Sequence, residues 1–285
     1  MAWRTAKAAL REAAHSAKAM ASGASRVLPD FVIVGAQKAG TTSLFAYLAQ
    51  HPRIAEPSSK EVHYFDYNYH RGENWYRGHF PLKSEMAEWA EAAGGPMFTF
   101  EASPYYMYHP LAIERMAADI PGCKAVAMLR DPIDRAYSQY WHERNKGQDD
   151  LDLADAIAQE PRRLAGEADR IREQPEYRSY AHQHFSYVDR SRYAQQVERL
   201  HAVLGAENVC LIKSEAFFAD PERETERVFA FLGLPRAEGI DYAPQNVGSY
   251  ADEIPEATRK HLRDLLEPDY RRLREIAGET FDWFE

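Results

Sequence analysis

Residues 31–43 read FVIVGAQKAGTTS, a short apolar run followed by a loop that contains two glycines. The run 31–35 carries no polar side chain, which is typical of a strand buried on both faces of a parallel sheet. The stretch TSLFAYLAQH at 42–51 has the pattern of a helix that starts directly after the loop. In a strand, loop and helix of this order, the backbone N–H groups of the loop and the positive N-terminal end of the helix can surround a phosphate. The sequence therefore predicts a phosphate-binding loop at Gly35 to Ser43.

The rest of the chain continues this alternation of strands and helices. Apolar runs occur at 97–100, 124–129 and 208–212, and helical patterns at about 110–119, 132–147, 221–232 and 256–277. We therefore predict an α/β fold, a three-layer α/β/α sandwich with a central, mainly parallel sheet and a P-loop-like phosphate-binding loop. Ligands of such folds bind at the carboxyl ends of the strands.

The domain organisation follows from length and composition. A chain of 285 residues that is 45% hydrophobic can bury one large core. We expect a single domain over 29–285, preceded by an N-terminal basic helical extension over 1–28. The polar stretch 149–190 is interrupted by Pro161 and Pro175 and has no buried-strand pattern. We interpret it as an insertion of helices and loops over the active site.

Histidines and cysteines do not indicate a metal site. His182 and His184 have no cysteine or carboxylate at ligand spacing, so we expect a pair of surface side chains. Cys123 and Cys210 lie in apolar stretches that predict strands. Buried thiols are therefore expected rather than a disulfide, which fits a reducing, cytoplasmic setting.

The charge balance limits the partners. With 35 Lys and Arg against 44 Asp and Glu, the formal charge is -9, which disfavours nucleic acid as a partner. No run approaches the roughly 18 apolar residues of a membrane span. Residues 1–26 place Arg4, Lys7, Arg11 and Lys18 on one helical face. This helix either contacts a membrane surface weakly or packs on the protein. Nothing in the pattern indicates an oligomeric state.

The position of the lysine distinguishes the phosphate loop from that of ordinary ATPases and GTPases. In a Walker loop the lysine follows the second glycine, where this chain has Thr41; Lys38 instead lies inside the loop. A nucleotide kinase that uses ATP and Mg²⁺ would also need carboxylates for the metal, and none stands clearly in place. That kinase and a non-catalytic nucleotide-binding protein remain the alternatives.

Four segments together resemble a known family. They are PDFVIVGAQKAGTTSLFAYLAQHP, KEVHYFD at 60–66, AMLRDPIDRAYSQYWH at 127–142 and TFDWF at 280–284. They resemble the sulfotransferases that use 3′-phosphoadenosine 5′-phosphosulfate (PAPS), and most closely the heparan sulfate branch, with the character of a bacterial-type cytoplasmic member. The resemblance implies PAPS as sulfuryl donor, with adenosine 3′,5′-bisphosphate (PAP) as its product, and no metal. It implies that the 5′-phosphosulfate is held by Gln37, Lys38, Ala39, Gly40, Thr41, Thr42 and Ser43.

The resemblance also implies catalytic roles. Lys38 is placed to stabilise charge on the leaving phosphate oxygen. Glu61 matches the catalytic base of the heparan sulfate branch, and a carboxylate partly buried among aromatics is expected to have a raised pKa. Many cytosolic relatives use a histidine, so His63 is the local rival. Lys60 is a candidate for binding the acceptor or a solvent-facing lysine.

The other end of the donor is assigned to the strand 124–129 and the helix after it. An arginine and a serine at the spacing of Arg130 and Ser138 grip the 3′-phosphate in the family, and a guanidinium suits phosphate oxygens. Asp131 reads as a helix cap rather than a metal ligand. Tyr193 matches an aromatic position near the adenine, with core packing as the alternative.

The chain departs from the heparan sulfate pattern in two places. It lacks the cysteine-flanked basic loop that covers the 3′-phosphate, and we expect backbone amides with Ser249 and Tyr250 to replace it. It also has Ala102 where heparan enzymes often place a substrate-binding lysine. Its neighbours Glu101, Ser103 and Tyr105 are candidates for binding the acceptor, a glycan or small molecule with a hydroxyl or amine.

Overall fold

A five-stranded parallel sheet forms the centre of the computed structural model, which describes residues 22–245 and 254–284. The strands are β1 (Phe31–Gly35), β2 (Ile54–Ala55), β3 (Phe98–Ala102), β4 (Lys124–Leu129) and β5 (Val209–Lys213). Their order across the sheet is β2-β3-β1-β4-β5, and each neighbouring pair is parallel. The predicted strand at 31–35 has the bounds expected from its apolar run.

Helices pack against the sheet and against one another. They are α1 (Thr41–Leu48), α2 (Glu73–Arg77), α3 (Lys83–Ala92), α4 (Ala112–Asp119), α5 (Pro132–Asn145), α6 (Leu153–Leu164), α7 (Glu167–Glu173), α8 (Tyr180–His184), α9 (Tyr193–Leu204), α10 (Ser214–Ala219), α11 (Pro221–Leu232) and α12 (Glu256–Ala277). A π-helical turn at Tyr64–Asn68 and short 3₁₀ turns connect some of them. None of the described helices combines the length and the apolar character needed to cross a membrane.

The central strand β1 is buried on both faces, which explains its continuous apolar run. Phe31 to Val34 are each 0% exposed, and β1 is hydrogen-bonded to β3 on one side and β4 on the other. Because the sheet is parallel, the loops that follow all five strands emerge at the same edge. This edge carries the phosphate loop.

The stretch 149–190 contains three helices, α6, α7 and α8. The prediction that Pro161 interrupts it is wrong, because Pro161 lies inside α6. The proline lacks the N–H that would donate to the carbonyl of residue 157, yet the helix continues past it to Leu164. Its neighbour Glu160 is buried and accepts hydrogen bonds from the backbone N–H groups of Val188 and Asp189. These bonds connect α6 to the C-terminal end of the stretch 149–190.

The described part of the N-terminal extension packs on the domain. Gly23–Ser25 form a 3₁₀ turn. A Cβ on Gly23 would lie 2.6 Å from the carbonyl oxygen of Asn74, so only glycine fits this contact. Arg26 donates a hydrogen bond to the carbonyl of Phe80. Residues 1–21, with the predicted basic face, lie outside the described residues.

The two cysteines are free and buried, as predicted. Cys210 lies in β5, and Cys123 directly precedes β4.

Candidate active site

A cavity of about 1190 Å³ opens at the carboxyl edge of the sheet. Each of the five strands is followed by residues that line it: Gln37, Lys38 and Gly40 to Thr42 after β1, Lys60 and Glu61 after β2, Tyr105 after β3, Arg130 after β4, and Ser214 with Glu215 after β5. The predicted site residues whose side chains or backbone reach this cavity are Gln37, Lys38, Gly40, Thr41, Thr42, Lys60, Glu61, His63, Tyr105, Arg130 and Ser138.

The phosphate loop depends on two left-handed residues. Lys38 has φ 72° and Gly40 has φ 105°, and α1 begins directly afterwards at Thr41. At Gly40 a Cβ would lie 2.8 Å from the ring of Phe218, so glycine is required both for the backbone and for the space. The loop therefore turns its N–H groups and the start of α1 toward the cavity, as an anion site needs.

Two predicted loop residues turn their side chains away from the cavity, which corrects their assignment. Ser43 is fully buried, and its Oγ accepts a hydrogen bond from the backbone N of Gln245 at 3.0 Å. Ala39 is also fully buried, and its carbonyl accepts from Ser214 Oγ at 2.8 Å. Ser43 thus anchors the chain at 245, just before the segment that contains Ser249 and Tyr250. Those two residues lie outside the described residues.

Glu61 and His63 form an ion pair at the cavity wall. Glu61 Oε2 lies 3.4 Å from His63 Nε2, and Glu61 Oε1 lies 3.1 Å from Lys60 Nζ. The expected rise in the pKa of Glu61 is wrong. Burial favours the neutral acid, but the hydrogen bond from His63 and the charge of Lys60 more than offset this and lower the pKa to about 2. The carboxylate side chain is 44% exposed.

His63 is held between two carboxylates. Its Nδ1 lies 2.7 Å from Oδ2 of Asp66, whose side chain is fully buried. Burial of the imidazole disfavours its charge, yet the hydrogen bonds to Asp66 and Glu61 raise its pKa to about 10. His63 is therefore an imidazolium at neutral pH and has no free site to accept a proton.

Glu101 and Ser103 do not reach the cavity, which corrects their assignment to the acceptor site. Both are 0% exposed, because β3 is covered on both faces. Ser103 Oγ donates to Glu101 Oε1 at 2.7 Å and accepts from the backbone N of His63 at 3.1 Å. Burial raises the pKa of Glu101 to about 7. Glu101 and Ser103 thus support the backbone at His63 from the buried side of the cavity wall.

Lys60 bridges the candidate base and the phosphate loop. Its Nζ donates to Thr42 Oγ1 at 2.9 Å as well as to Glu61 Oε1 at 3.1 Å. The backbone carbonyl of Lys60 accepts from the N of Ala102 at 3.1 Å, which fixes this segment to β3.

Arg130 stands at the end of β4, where the strand passes into α5. Asp131 Oδ1 accepts from the backbone N–H groups of Ile133 and Asp134 at 2.8 and 3.1 Å, which confirms it as the cap of α5. Arg130 Nη1 donates to the carbonyl of Lys38 at 3.3 Å. Ser138 lies two turns into α5 and lines the same cavity.

Tyr193 lies in the core and does not line the cavity, unlike a residue that stacks on adenine. It is 1% exposed, and its Oη donates to the carbonyl of Arg130 at 3.1 Å. The tyrosine reaches inward because α9 packs against the sheet and α12. Five further aromatic side chains are likewise buried: Tyr64, Phe65, Trp75, Tyr106 and Tyr108.

A family model described as "Sulfotransferase domain" matches residues 28–254. The chain belongs to the sulfotransferase family. This confirms the resemblance inferred from the phosphate loop and the segments around Glu61 and Arg130.

Relatives of this sulfotransferase match about two fifths of its length. A membrane-associated sulfotransferase, kil1, from Dictyostelium discoideum is 38% identical over 124 residues, which are 42% of this chain and 25% of that protein. The human bifunctional heparan sulfate N-deacetylase/N-sulfotransferase 3 is 41% identical over 124 residues, 41% of this chain and 13% of that protein. The aligned stretches thus span a quarter or less of these relatives.

A crystal structure of a sulfotransferase from Alicyclobacillus acidocaldarius resembles the whole sulfotransferase domain. It is 30% identical, covers 91% of this chain and 100% of that one, and has a TM-score of 0.64. The predicted α/β sandwich is confirmed by this likeness and by the parallel sheet.

Sequence reasoning missed one wall of the sulfotransferase cavity. His142 follows Ser138 on α5, Lys146 comes directly after the end of that helix, and both also line the cavity. Ser138, His142 and Lys146 follow one another at intervals of four residues. This helical spacing places them on one face, and the sequence could have revealed it. Burial and the charges of Lys38 and Lys146 lower the pKa of His142, so its imidazole is neutral at neutral pH.

A second wall comes from the stretch 149–190, through side chains that the sequence did not single out as site residues. The expected surface pair of histidines is wrong: His182 is buried with its Nδ1 2.7 Å from Tyr105 Oη, while His184 lines the cavity with its Nδ1 2.8 Å from Glu143 Oε2. Arg190 is 2% exposed and donates to Gln37 Oε1 of the phosphate loop. No local sequence signal marks these contacts, because they join segments far apart in the chain. Among the described residues, no group of three or more His, Cys, Asp or Glu could hold a metal ion.

Proposed function

We propose that this sulfotransferase moves a sulfuryl group in line from PAPS to a hydroxyl or amine of an acceptor. One observation carries the proposal. A single cavity brings together a phosphate loop with Lys38, the ionised carboxylate of Glu61 and the guanidinium of Arg130. These are a leaving-group cation, a base and a second phosphate contact, which PAPS-dependent transfer requires at one place.

The donor is assigned along the carboxyl edge of the sheet. The N–H groups of the loop, Lys38, Thr41 and Thr42 hold the 5′-phosphosulfate. Arg130 and Ser138 hold the 3′-phosphate, since a guanidinium offers a fork of donors to phosphate oxygens.

Phe218 takes the adenine role that Tyr193 cannot fill. Its ring is 47% exposed, lines the cavity and stands over Gly40 at the start of α1. An exposed aromatic ring beside a phosphate loop suits stacking on a base. Its neighbour Phe217 is buried and supports it at a centroid distance of 5.3 Å.

The reaction is a displacement at sulfur. The acceptor oxygen or nitrogen forms a bond to sulfur while the bond from sulfur to the bridging phosphate oxygen breaks, and PAP leaves. The proton of the acceptor passes to Glu61 as the new bond forms and the acceptor becomes more acidic. Lys38 stabilises the charge that develops on the departing phosphate oxygen.

The electrostatics favour Glu61 over His63 as base. With a pKa of about 2, Glu61 is ionised at every physiological pH. His63, with a pKa of about 10, already carries the proton that a base would have to accept. The role of His63 is then to orient Glu61 and to disperse its charge.

The acceptor is proposed as a glycan or a small molecule. Support comes from the heparan sulfate in the name of one relative and from Lys60 and Tyr105, which line the cavity. A cytoplasmic setting, supported by two free buried thiols, and a weak membrane contact through residues 1–26 both remain predictions.

The test uses the purified chain with labelled PAPS and a library of glycans, phenols, sterols and amines, with mass detection of sulfated product. Glu61→Gln should reduce the turnover number by about two orders of magnitude or more. PAP should raise the melting temperature of the wild type and of the variant equally. If Glu61→Gln keeps its activity and His142→Gln loses it, the base is His142. Transfer of the γ-phosphate from ATP, without sulfated product, would overturn the proposal.

A further inference from the structure

The peptide unit between Arg130 and Asp131 is held at both of its polar ends. Its carbonyl oxygen accepts a hydrogen bond from Tyr193 Oη at 3.1 Å. Its N–H donates to Glu215 Oε1 at 2.8 Å. The Asp131 carboxylate is occupied with capping α5, so the peptide is fixed by α9 and α10 rather than by its own helix.

The second oxygen of Glu215 is held by the last described segment of the chain. Glu215 Oε2 accepts from Trp283 Nε1 at 2.8 Å. Trp283 is itself anchored on both sides, because Asp282 pairs with Lys213 at the end of β5 and the carbonyl of Phe284 accepts from Arg263 of α12. The match to the family model ends at residue 254, before this segment begins.

We propose that Glu215, oriented by Trp283, positions Arg130 for the 3′-phosphate of the nucleotide, so that the segment Thr280–Phe284 completes the donor site. This rests on the role proposed above for Arg130. The orientation of a peptide plane sets the direction in which the preceding side chain leaves the strand. A plane fixed at both ends therefore holds the Cα–Cβ bond of Arg130 in one direction before the nucleotide binds, which lowers the entropic cost of placing the guanidinium.

The geometry also explains why a carboxylate stands at 215. A single acceptor with two oxygens connects one backbone donor and one indole donor, and an ionised acceptor forms stronger hydrogen bonds than a neutral one. The side chain of Glu215 thereby links Trp283 to the same peptide that Tyr193 holds from the core side. Glu215 and Trp283 act through Arg130 and are positioning residues.

The test compares PAP with AMP, which lacks the 3′-phosphate, by calorimetry on the full chain. Trp283→Phe keeps a ring but removes the indole donor, and it should weaken PAP about tenfold while changing AMP less than about twofold. Glu215→Gln, which keeps the shape, should act in the same direction. Trp89→Phe, at a tryptophan 41% exposed on α3, is the matched control and should change neither affinity.

A double variant separates positioning from a general structural effect. In an Arg130→Ala background, Trp283→Phe should have no further effect on PAP, because its action passes through Arg130. Equal losses for PAP and AMP, full additivity with Arg130→Ala, or unchanged affinity in both Trp283→Phe and Glu215→Gln would overturn the inference. If Arg130→Ala itself weakens PAP and AMP alike, the proposed function of Arg130 fails instead.

Discussion

His63 Nε2 lies 3.4 Å from Glu61 Oε2, and this contact helps to raise the pKa of the histidine and to lower that of the carboxylate. The histidine remains protonated to a pH of about 10, and the carboxylate remains ionised down to a pH of about 2. An ionised carboxylate and a neighbouring cation thus coexist over the whole physiological range. Their pairing has consequences for the pH dependence of activity.

The first prediction concerns His63→Gln. Without the imidazolium, the pKa of Glu61 should rise towards its ordinary value of 4.5. In the wild type, kcat/KM should show no acid limb between about pH 5 and 8 from this pair, whereas the variant should show one near pH 4 to 5. A pH profile of kcat/KM for wild type and variant measures this. An acid limb near pH 6 to 7 in the wild type that vanishes in His63→Gln would make His63 the base.

The second prediction concerns Lys38. Lys38→Ala should reduce kcat by about two orders of magnitude or more, because one positioned donor at a developing oxyanion contributes about 3 kcal/mol. Single-turnover rates with saturating PAPS give the comparison. Lys83→Ala, at a lysine on α3 outside the cavity, is the control and should leave kcat unchanged. A Lys38→Ala enzyme within threefold of wild type would remove this residue from the mechanism.

A third prediction concerns the buried carboxyl of Glu101, whose folded-state pKa is raised from 4.5 to about 7. The folded protein holds a proton that the unfolded chain has released, so stability falls as pH rises from about 4.5 to 7. Glu101→Gln imitates the protonated form and should not show this loss. The difference in free energy of unfolding between Glu101→Gln and wild type should therefore shift in favour of the variant by on the order of 2 kcal/mol from pH 5 to pH 8.

Chemical denaturation at both pH values tests this prediction, with Glu91→Gln on the exposed face of α3 as the matched control. A difference between Glu101→Gln and wild type that stays constant with pH would show that the carboxyl is ionised in the fold.

The fourth prediction concerns the ring of Phe218. Phe218→Leu should weaken PAP and AMP by the same factor, about tenfold, because base stacking contributes about 1–3 kcal/mol and does not depend on the 3′-phosphate. Arg130→Ala, in contrast, should affect PAP alone. Tyr180→Leu, at an exposed aromatic outside the cavity, serves as the control in the same calorimetric series. Unchanged affinity in Phe218→Leu would place the adenine elsewhere.

The fifth prediction concerns metal. A transferring phosphoryl group bears more negative charge than a sulfuryl group, and kinases meet that charge with magnesium. Here Lys38, the loop amides and Arg130 line the cavity, and we expect them to stabilise the leaving bisphosphate. Activity with PAPS should therefore persist in excess EDTA after reagents have been freed of metal. Strict dependence on added Mg²⁺ would count against sulfuryl transfer.

Several site residues were predictable because their signals are local. The strand at 31–35, the glycine at position 40 and the helix start at Thr41 are adjacent in the sequence and fold into one loop. Arg130 follows a strand, and Ser138 lies on the helix capped by Asp131. Helical spacing would also have predicted His142 and Lys146, four and eight residues after Ser138.

The pKa values were not predictable, although Lys60, Glu61 and His63 are neighbours in the sequence. Adjacency alone does not reveal whether the carboxylate meets a cation or an apolar wall. The left-handed backbone of His63, φ 54°, turns its ring back towards Glu61, while Asp66 fixes the far nitrogen. The distances between charged atoms determine the direction of the shift.

The sequence by itself determined the order of strands and helices, the phosphate loop and the family, because apolar runs, glycines and caps act over a few residues. Only the tertiary structure decided which side chains face the cavity. Glu101, Ser103 and Tyr193 point into packed layers, whereas His184, Arg190 and Phe218 reach the cavity from distant segments. The direction of a side chain depends on which element packs against its own, and that contact joins residues whose separation in the chain carries no local pattern.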